Sequence, residues 1–187
     1  MTKPSLSIVL VVNNAEATLS DSIHRLMDYG SELATTFDVL VIDDDSMDDT
    51  LNVASDLARK FPQVRVHHNP VSGHTEFIQL AIRRTQGEYV LICDGEMTVD
   101  EIRHLWSLRV KEEFVMASVF ANQVVVRTSA GDEVIPTEMI PSNSSRLIYR
   151  QKLAVEARYD QAHQDFRPAS PPVYLRPLNS RMSEPNL

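Results

Sequence analysis

The sequence predicts an α/β fold: a mostly parallel sheet with helices on both faces, followed by a short part built of mixed strands. Three observations carry this. From Leu6 to about Arg109, apolar strand-like runs alternate with segments of helical period, the βαβα pattern of a parallel sheet. The first run, Leu6 to Val12, is aliphatic except for Ser7, as expected of a strand covered on both faces. After Arg109 the alternation stops and short strand-like runs succeed one another.

Each element has its own signal. Asn14 can cap a first helix. Leu19, Ile23, Leu26, Met27 and Leu33 recur at helical spacing and mark its buried face. Asp38 to Ile42 is a second strand. Asp48-Asp49-Thr50 can cap a second helix, whose inner face is Leu51, Ala54, Leu57, Ala58 and Phe61, with Pro62 beyond its end. Val64 to His67 is a short third strand. Thr75 to Arg84 is helical, and Gly87 can end that segment. Glu88 to Cys93 is a fourth strand. Thr98 and Glu101 form a capping box for a helix carrying Ile102, Leu105 and Trp106. Phe114–Phe120, Gln123–Arg127 and Glu133–Ile135 are strand-like, with a turn at Ser129-Ala130-Gly131-Asp132. Arg150 to Gln161 forms a last helix.

Composition removes several functions. The chain has 187 residues, of which 43% are hydrophobic, enough for one domain with a sizeable core. Its 18 basic and 26 acidic residues give a net charge of −8, against nucleic-acid binding and against an anionic membrane surface. No apolar run approaches the ~20 residues of a membrane helix. Leu6–Val12 with Ala15-Glu16-Ala17 imitates a secretory leader, but it is short for one, and a buried strand fits it better. The single cysteine, Cys93, excludes an internal disulfide framework, suits a reducing compartment and points to the cytoplasm. Cys93 itself fits a small buried apolar residue. The five glycines include no GxGxxG or GxxxxGK[ST] phosphate loop, and no GxSxG elbow occurs. His67 and His68 are adjacent and, on a strand, face opposite ways, so with His74 they make a poor metal set. Five of the ten prolines lie in the last twenty residues, and 164–187 is expected to be a flexible tail.

In open α/β sheets ligands bind beyond the carboxyl ends of the strands. Each strand here runs into polar or acidic residues: Asn13-Asn14 after the first, Asp43-Asp44-Asp45 with Asp48-Asp49 after the second, His67-His68-Asn69 after the third, and Asp94-Gly95-Glu96 after the fourth. Asp48 and Asp49 fit turn and cap positions. Asp43 and Asp44 continue directly from a buried strand. Asp94 and Glu96 set two hard oxygen ligands around a glycine, which suits Mg2+ or Mn2+ shared with phosphate and water.

With these residues in view, Leu6 to Asp100 resembles the nucleotide-binding half of family 2 glycosyltransferases, which have the GT-A fold. Ser7 to Asn14 is similar to that family's opening V-[IV]-P-x-Y-N-E strand. Val41-Ile42-Asp43-Asp44-Asp45-Ser46-Met47-Asp48-Asp49-Thr50 resembles its V-V-D-D-G-S-x-D-x-T segment. Gly73 to Gln79 and Gly87 to Asp94 resemble its G-x-x-x-A-x-N segment and the G-E-Y-[IV] strand that leads into D-x-D.

The resemblance implies a GT-A-like domain over 1–163, with a nucleotide-binding half at 1–109 and a short acceptor-side half at 110–163. It implies a nucleotide-diphospho-sugar donor of UDP or GDP type, contacted by Asn14, Asp43, Asp44 and Gly73. It implies a Mg2+ or Mn2+ ion on Asp94 and Glu96. Ser145 to Arg150 is similar to the F-R-L-Y-R segment of dolichyl-phosphate sugar transferases, which implies an acceptor lipid phosphate held by Arg146 and Arg150. The chain also departs from the family: the base-stacking Tyr is Asn13, the Gly of D-D-G-S is Asp45, and no acidic base motif comes after residue 113. These departures favour a second reading, a catalytically degenerate module that binds a nucleotide or a protein partner.

Overall fold

Strand β1 (Ser5–Val12) pairs in parallel with β2 (Thr36–Asp44) on one side and with β4 (Tyr89–Asp94) on the other. The computed structural model describes residues 4–69, 77–94, 98–110, 114–120, 123–136 and 146–150. Strand β3 (Val64–Asn69) lies outside β2, also in parallel. The mixed part is antiparallel: β8 (Arg146–Tyr149) sits beside β4, then come β5 (Phe114–Phe120), β6 (Gln123–Thr128) and β7 (Gly131–Pro136). Among the described residues the order is β3-β2-β1-β4-β8-β5-β6-β7, one eight-stranded sheet.

Alternation along β1 explains the layers. Leu6, Ile8, Leu10 and Val12 face one side, where they pack with α1 (Leu19–Leu33), α2 (Thr50–Lys60) and α4 (Val99–Leu108). Val9 faces the other side with Leu40, Ile42, Val90 and Ile92, under Ala81 of α3 (Phe77–Arg84). A strand apolar on both faces is therefore needed, and the near-continuous run in β1 supplies it. Trp106 and Cys93 are buried, as the sequence predicts. Close approach needs glycine at one point: a Cβ on Gly87 would stand 2.4 Å from the Ser7 backbone nitrogen.

Several expectations shift. Asn14 does not cap α1; the N-cap is Thr18, which makes no side-chain cap bond. Asp49 holds the N-cap of α2 without a cap bond, and Asp48 accepts from the Thr50 N–H instead. The capping box of Thr98 and Glu101 is formed in full. β3 runs two residues further than predicted, to Asn69, and β4 ends on Asp94 itself. The segment 146–149, whose sequence suits either a strand or a helix start, is a strand in the middle of the sheet. Thr75, the expected helix beyond Arg150 and the tail at 164–187 lie outside the described residues. No helix among the described residues is long and apolar enough to cross a membrane.

Candidate functional site

β1 has one neighbour reached through the helices of one face and another reached through α3 on the opposite face. This makes the carboxyl ends of β1 and β4 a topological switch point, where such sheets open a crevice. Register fixes which residues gather there: Val12 stands opposite Asp43, Val11 opposite Asp94, Asp43 opposite His68 and Asp44 opposite Asn69.

Two loops beyond that edge are zipped together. The Asn13 amide donates to the carbonyl oxygens of Asp44 (2.6 Å) and Asp45 (3.3 Å). The Asn14 N–H donates to Ser46 Oγ at 2.9 Å, and Asn14 Oδ1 accepts the Met47 N–H at 2.8 Å. The Ala15 N–H donates to Thr50 Oγ1, the Glu16 N–H to Asp48 Oδ2, and Glu16 Oε2 accepts the Asp49 N–H. Asn14 (φ 51°) and Asp45 (φ 57°) both take the left-handed conformation. Asn and Asp tolerate that region better than other side chains, because their short polar groups bond locally. The position that holds Gly in the resembling motif is thus one where the backbone itself requires a permissive residue.

Most carboxylates of the acidic loop accept hydrogen bonds. Asp43 Oδ2 accepts from His68 Nδ1 at 2.8 Å and Asp44 Oδ1 from the Asn69 amide at 3.0 Å. Asp49 Oδ1 accepts from Asn52. Asp48 accepts the Thr50 hydroxyl, which holds its pKa below the usual carboxylate range, with the Thr50 and Glu16 N–H groups adding to the effect. Asp45 is exposed and forms no ion pair among the described residues.

Strand parity divides the groups. Asp43 and His68 lie on the α1–α2 face of the sheet; Asp44 and Asn69 lie on the α3 face. His67 is on the α3 face too, where burial lowers its pKa and the charges of Arg84 and His68 lower it further. The neighbouring histidines therefore do not share an ion, and His74 is outside the described residues.

The other predicted site residues separate. Asp94 ends β4 beside Val11, at the switch point. Gly73 and Glu96 are outside the described residues, and among these no group of three or more His, Cys, Asp or Glu residues could hold a metal. Arg146 pairs with Ile92, toward the carboxyl end of β4. Arg150 is at the opposite end of that strand. Its guanidinium donates to the carbonyls of Gly87 (2.8 Å) and Ile82 (2.6 Å) and to Thr85 Oγ1 (2.6 Å). That corrects its reading as an acceptor-phosphate ligand: it ties the end of α3 to β4. Sequence reasoning missed the His68–Asp43 pair and the inward turn of Asn13. Only strand register reveals the first, and the second depends on where two loops meet.

Comparison with known proteins bears on this edge. The model of Glycosyl transferase family 2 matches residues 7–160. No curated protein matches the chain. Among solved structures it is similar to a mannosyltransferase from Pyrobaculum calidifontis in complex with GDP-Man and Mn2+, at 15% identity and TM-score 0.59, over 83% of this chain and 47% of that one. It is similar to TarS of S. aureus in complex with UDP-GlcNAc, at 17% identity and TM-score 0.56, over 82% and 47%. It is also similar to 4-diphosphocytidyl-2C-methyl-D-erythritol synthase from Anaerococcus prevotii, at 12% identity and TM-score 0.52, over 89% and 80%. The chain spans about half the length of the mannosyltransferase and of the TarS chain. The shared architecture is the GT-A fold, and with a family match across most of its length the chain belongs to glycosyl transferase family 2.

Proposed function

We propose that the chain binds a nucleotide-diphospho-sugar of UDP or GDP type along the carboxyl edge of β1, β2 and β4 and transfers its sugar to an acceptor. The observation that carries this is the meeting of the Asn13–Asn14 loop, the Asp43–Asp44 strand end and Asp94 at the switch point of a family 2 chain. Relatives of the same fold were solved with GDP-Man and Mn2+ and with UDP-GlcNAc, which supports the ligand class.

Asp94 and Glu96 would hold Mg2+ or Mn2+. The donor set fits such an ion in kind, since carboxylate oxygen is its preferred ligand and Asp94 is the last residue of β4 at the switch point. When bound, the ion offsets charge on the departing diphosphate. The Asn14–Ser46–Met47 bonds keep the edge in shape before a donor arrives, which lowers the ordering cost of binding. Arg146, near the carboxyl end of its neighbour strand, is the remaining candidate for an acceptor lipid phosphate. The buried single cysteine suits work in the cytoplasm.

A second reading is a degenerate module that binds a nucleotide or a partner protein without turnover. The Asn13 amide favours it, because it is spent on two backbone carbonyls where the family stacks an aromatic ring. Thermal-shift titration with UDP, GDP and CDP, with and without Mn2+, decides between them. A transferase gives a rise that needs nucleotide and metal together and disappears in Asp94→Ala, since ligand binding raises folded-state stability. No rise at millimolar ligand leaves the partner-binding module.

A further inference from the structure

We infer that His68, held by the buried Asp43, reads the base of the donor nucleotide. This rests on the donor-site reading above. Asp43 has no exposed surface, so a ligand reaches it only by displacing its neighbours. The group that Asp43 presents to the outside is His68: its Oδ2 accepts from the ring Nδ1 at 2.8 Å, and the ring is 42% exposed. The other carboxylate oxygen, Oδ1, is buried and has no hydrogen-bond partner among the described residues.

A carboxylate only accepts, so the Nδ1 of a neutral ring carries the proton and Nε2 carries a lone pair. Nε2 makes no hydrogen bond among the described residues. The edge therefore offers one oriented acceptor at the end of β3. From β4, where the diphosphate would sit at Asp94, to β3 is three inter-strand steps of ~4.8 Å, about 14 Å along the sheet, comparable to a nucleoside diphosphate laid across the strand ends from the α3 face, which Asp94 shares with Val11, to the face of His68. A base lying at that far end meets Nε2 with its Watson–Crick edge. Uracil and guanine carry an imino N–H there and donate to Nε2. Cytosine has a bare ring nitrogen at the same place and leaves two acceptors facing each other. Asp43 is then a positioning residue and His68 the specificity determinant.

The test is calorimetric titration of the full chain with UDP, GDP and CDP in the presence of Mn2+. Wild type is expected to bind UDP or GDP about tenfold more tightly than CDP, the size of one hydrogen bond with its mismatch. H68N places an amide near the Nδ1 position and keeps the bond to Asp43 but has no acceptor at the ring's far side. Its preference should fall to near unity. H68Q reaches the Nε2 position and should retain most of the preference. Should H68N fail to fold, H68F, of similar volume and without an acceptor, takes its place. An unchanged ratio in these variants overturns the assignment, as does an equal weakening of all three nucleotides, the sign of a ribose contact or of a structural role alone. If wild type binds none of them, the donor-site reading fails, and this inference with it.

Discussion

Asn14 Oδ1 accepts the Met47 N–H at 2.8 Å, and Asn14 itself sits at φ 51°, so one residue both bends the chain after β1 and fastens it to the loop after β2. The two roles are separable. Asn14→Gly keeps the backbone conformation and loses the bond; a cost of about 1 kcal/mol is expected. Asn14→Ala loses the bond and adds left-handed strain, for about 2 kcal/mol. Urea unfolding of both variants measures the difference, and equal costs would refute the conformational part.

Asp45 poses the opposite case. At φ 57° and without an ion-pair partner among the described residues, it bears a charge that its position does not use. Asp45→Gly should leave stability within about 0.5 kcal/mol, because relief of strain offsets the freer unfolded chain. It should also tighten nucleotide binding severalfold by removing a negative charge beside the site. Asp45→Val should cost about 2 kcal/mol, since a β-branched residue fits the left-handed region poorly. Denaturant midpoints and nucleotide titrations of the pair check both halves.

Arg150 holds Gly87, Ile82 and Thr85 with three donors of one planar group. Burial lowers its pKa, opposed by the charge of Asp38, yet a guanidinium stays charged throughout the working range. Arg150→Met should destabilise by about 2–3 kcal/mol and leave nucleotide affinity untouched. Arg150→Lys should recover less than half, because an ammonium cannot reproduce the fork. A variant that folds normally and loses only acceptor binding would reinstate the phosphate role.

Asp48 gives a pH signature. The Thr50 hydroxyl leads the groups that hold its pKa below the ordinary value. A depressed folded-state pKa stabilises above the unfolded value, and that contribution disappears as pH falls through the folded value. The gap in stability between wild type and Asp48→Asn should be constant from about pH 5 to 8 and close below about pH 4. Denaturant midpoints across that range report it; a gap that persists at low pH would place the effect in packing.

The first hundred residues were legible because their physics is local. The aliphatic run of β1 and the spacing of Leu19, Ile23 and Leu26 each bury a defined face, and both elements form where that pattern puts them. The edge residues were legible too, since a strand carries its last residues to the sheet edge, as Asp43 and Asp94 show. Pairings between strands were not. The bond from His68 to Asp43 spans 25 residues and depends on register, which no single segment encodes. Arg150 misled for a related reason: a short resemblance says nothing of which end of the sheet an arginine reaches. Asn14 was suited to a cap by type, but the loop it meets claims its side chain.

Strand β8 is the last strand of the described chain, yet it stands between β4 and β5. Until residues 146–149 are in place, β4 has one open flank and the β5-β6-β7 meander has no partner in the sheet. During synthesis the β1–β4 half can assemble early, but it joins the β5-β6-β7 strands in one sheet only once residues 146–149 have been made. A ribosome-stalled or clipped chain lacking those four residues would present the flank of β4, including Leu91 and Ile92, as an adhesive edge. Aggregation of such fragments, rather than loss of activity, is how damage to this region should first show itself.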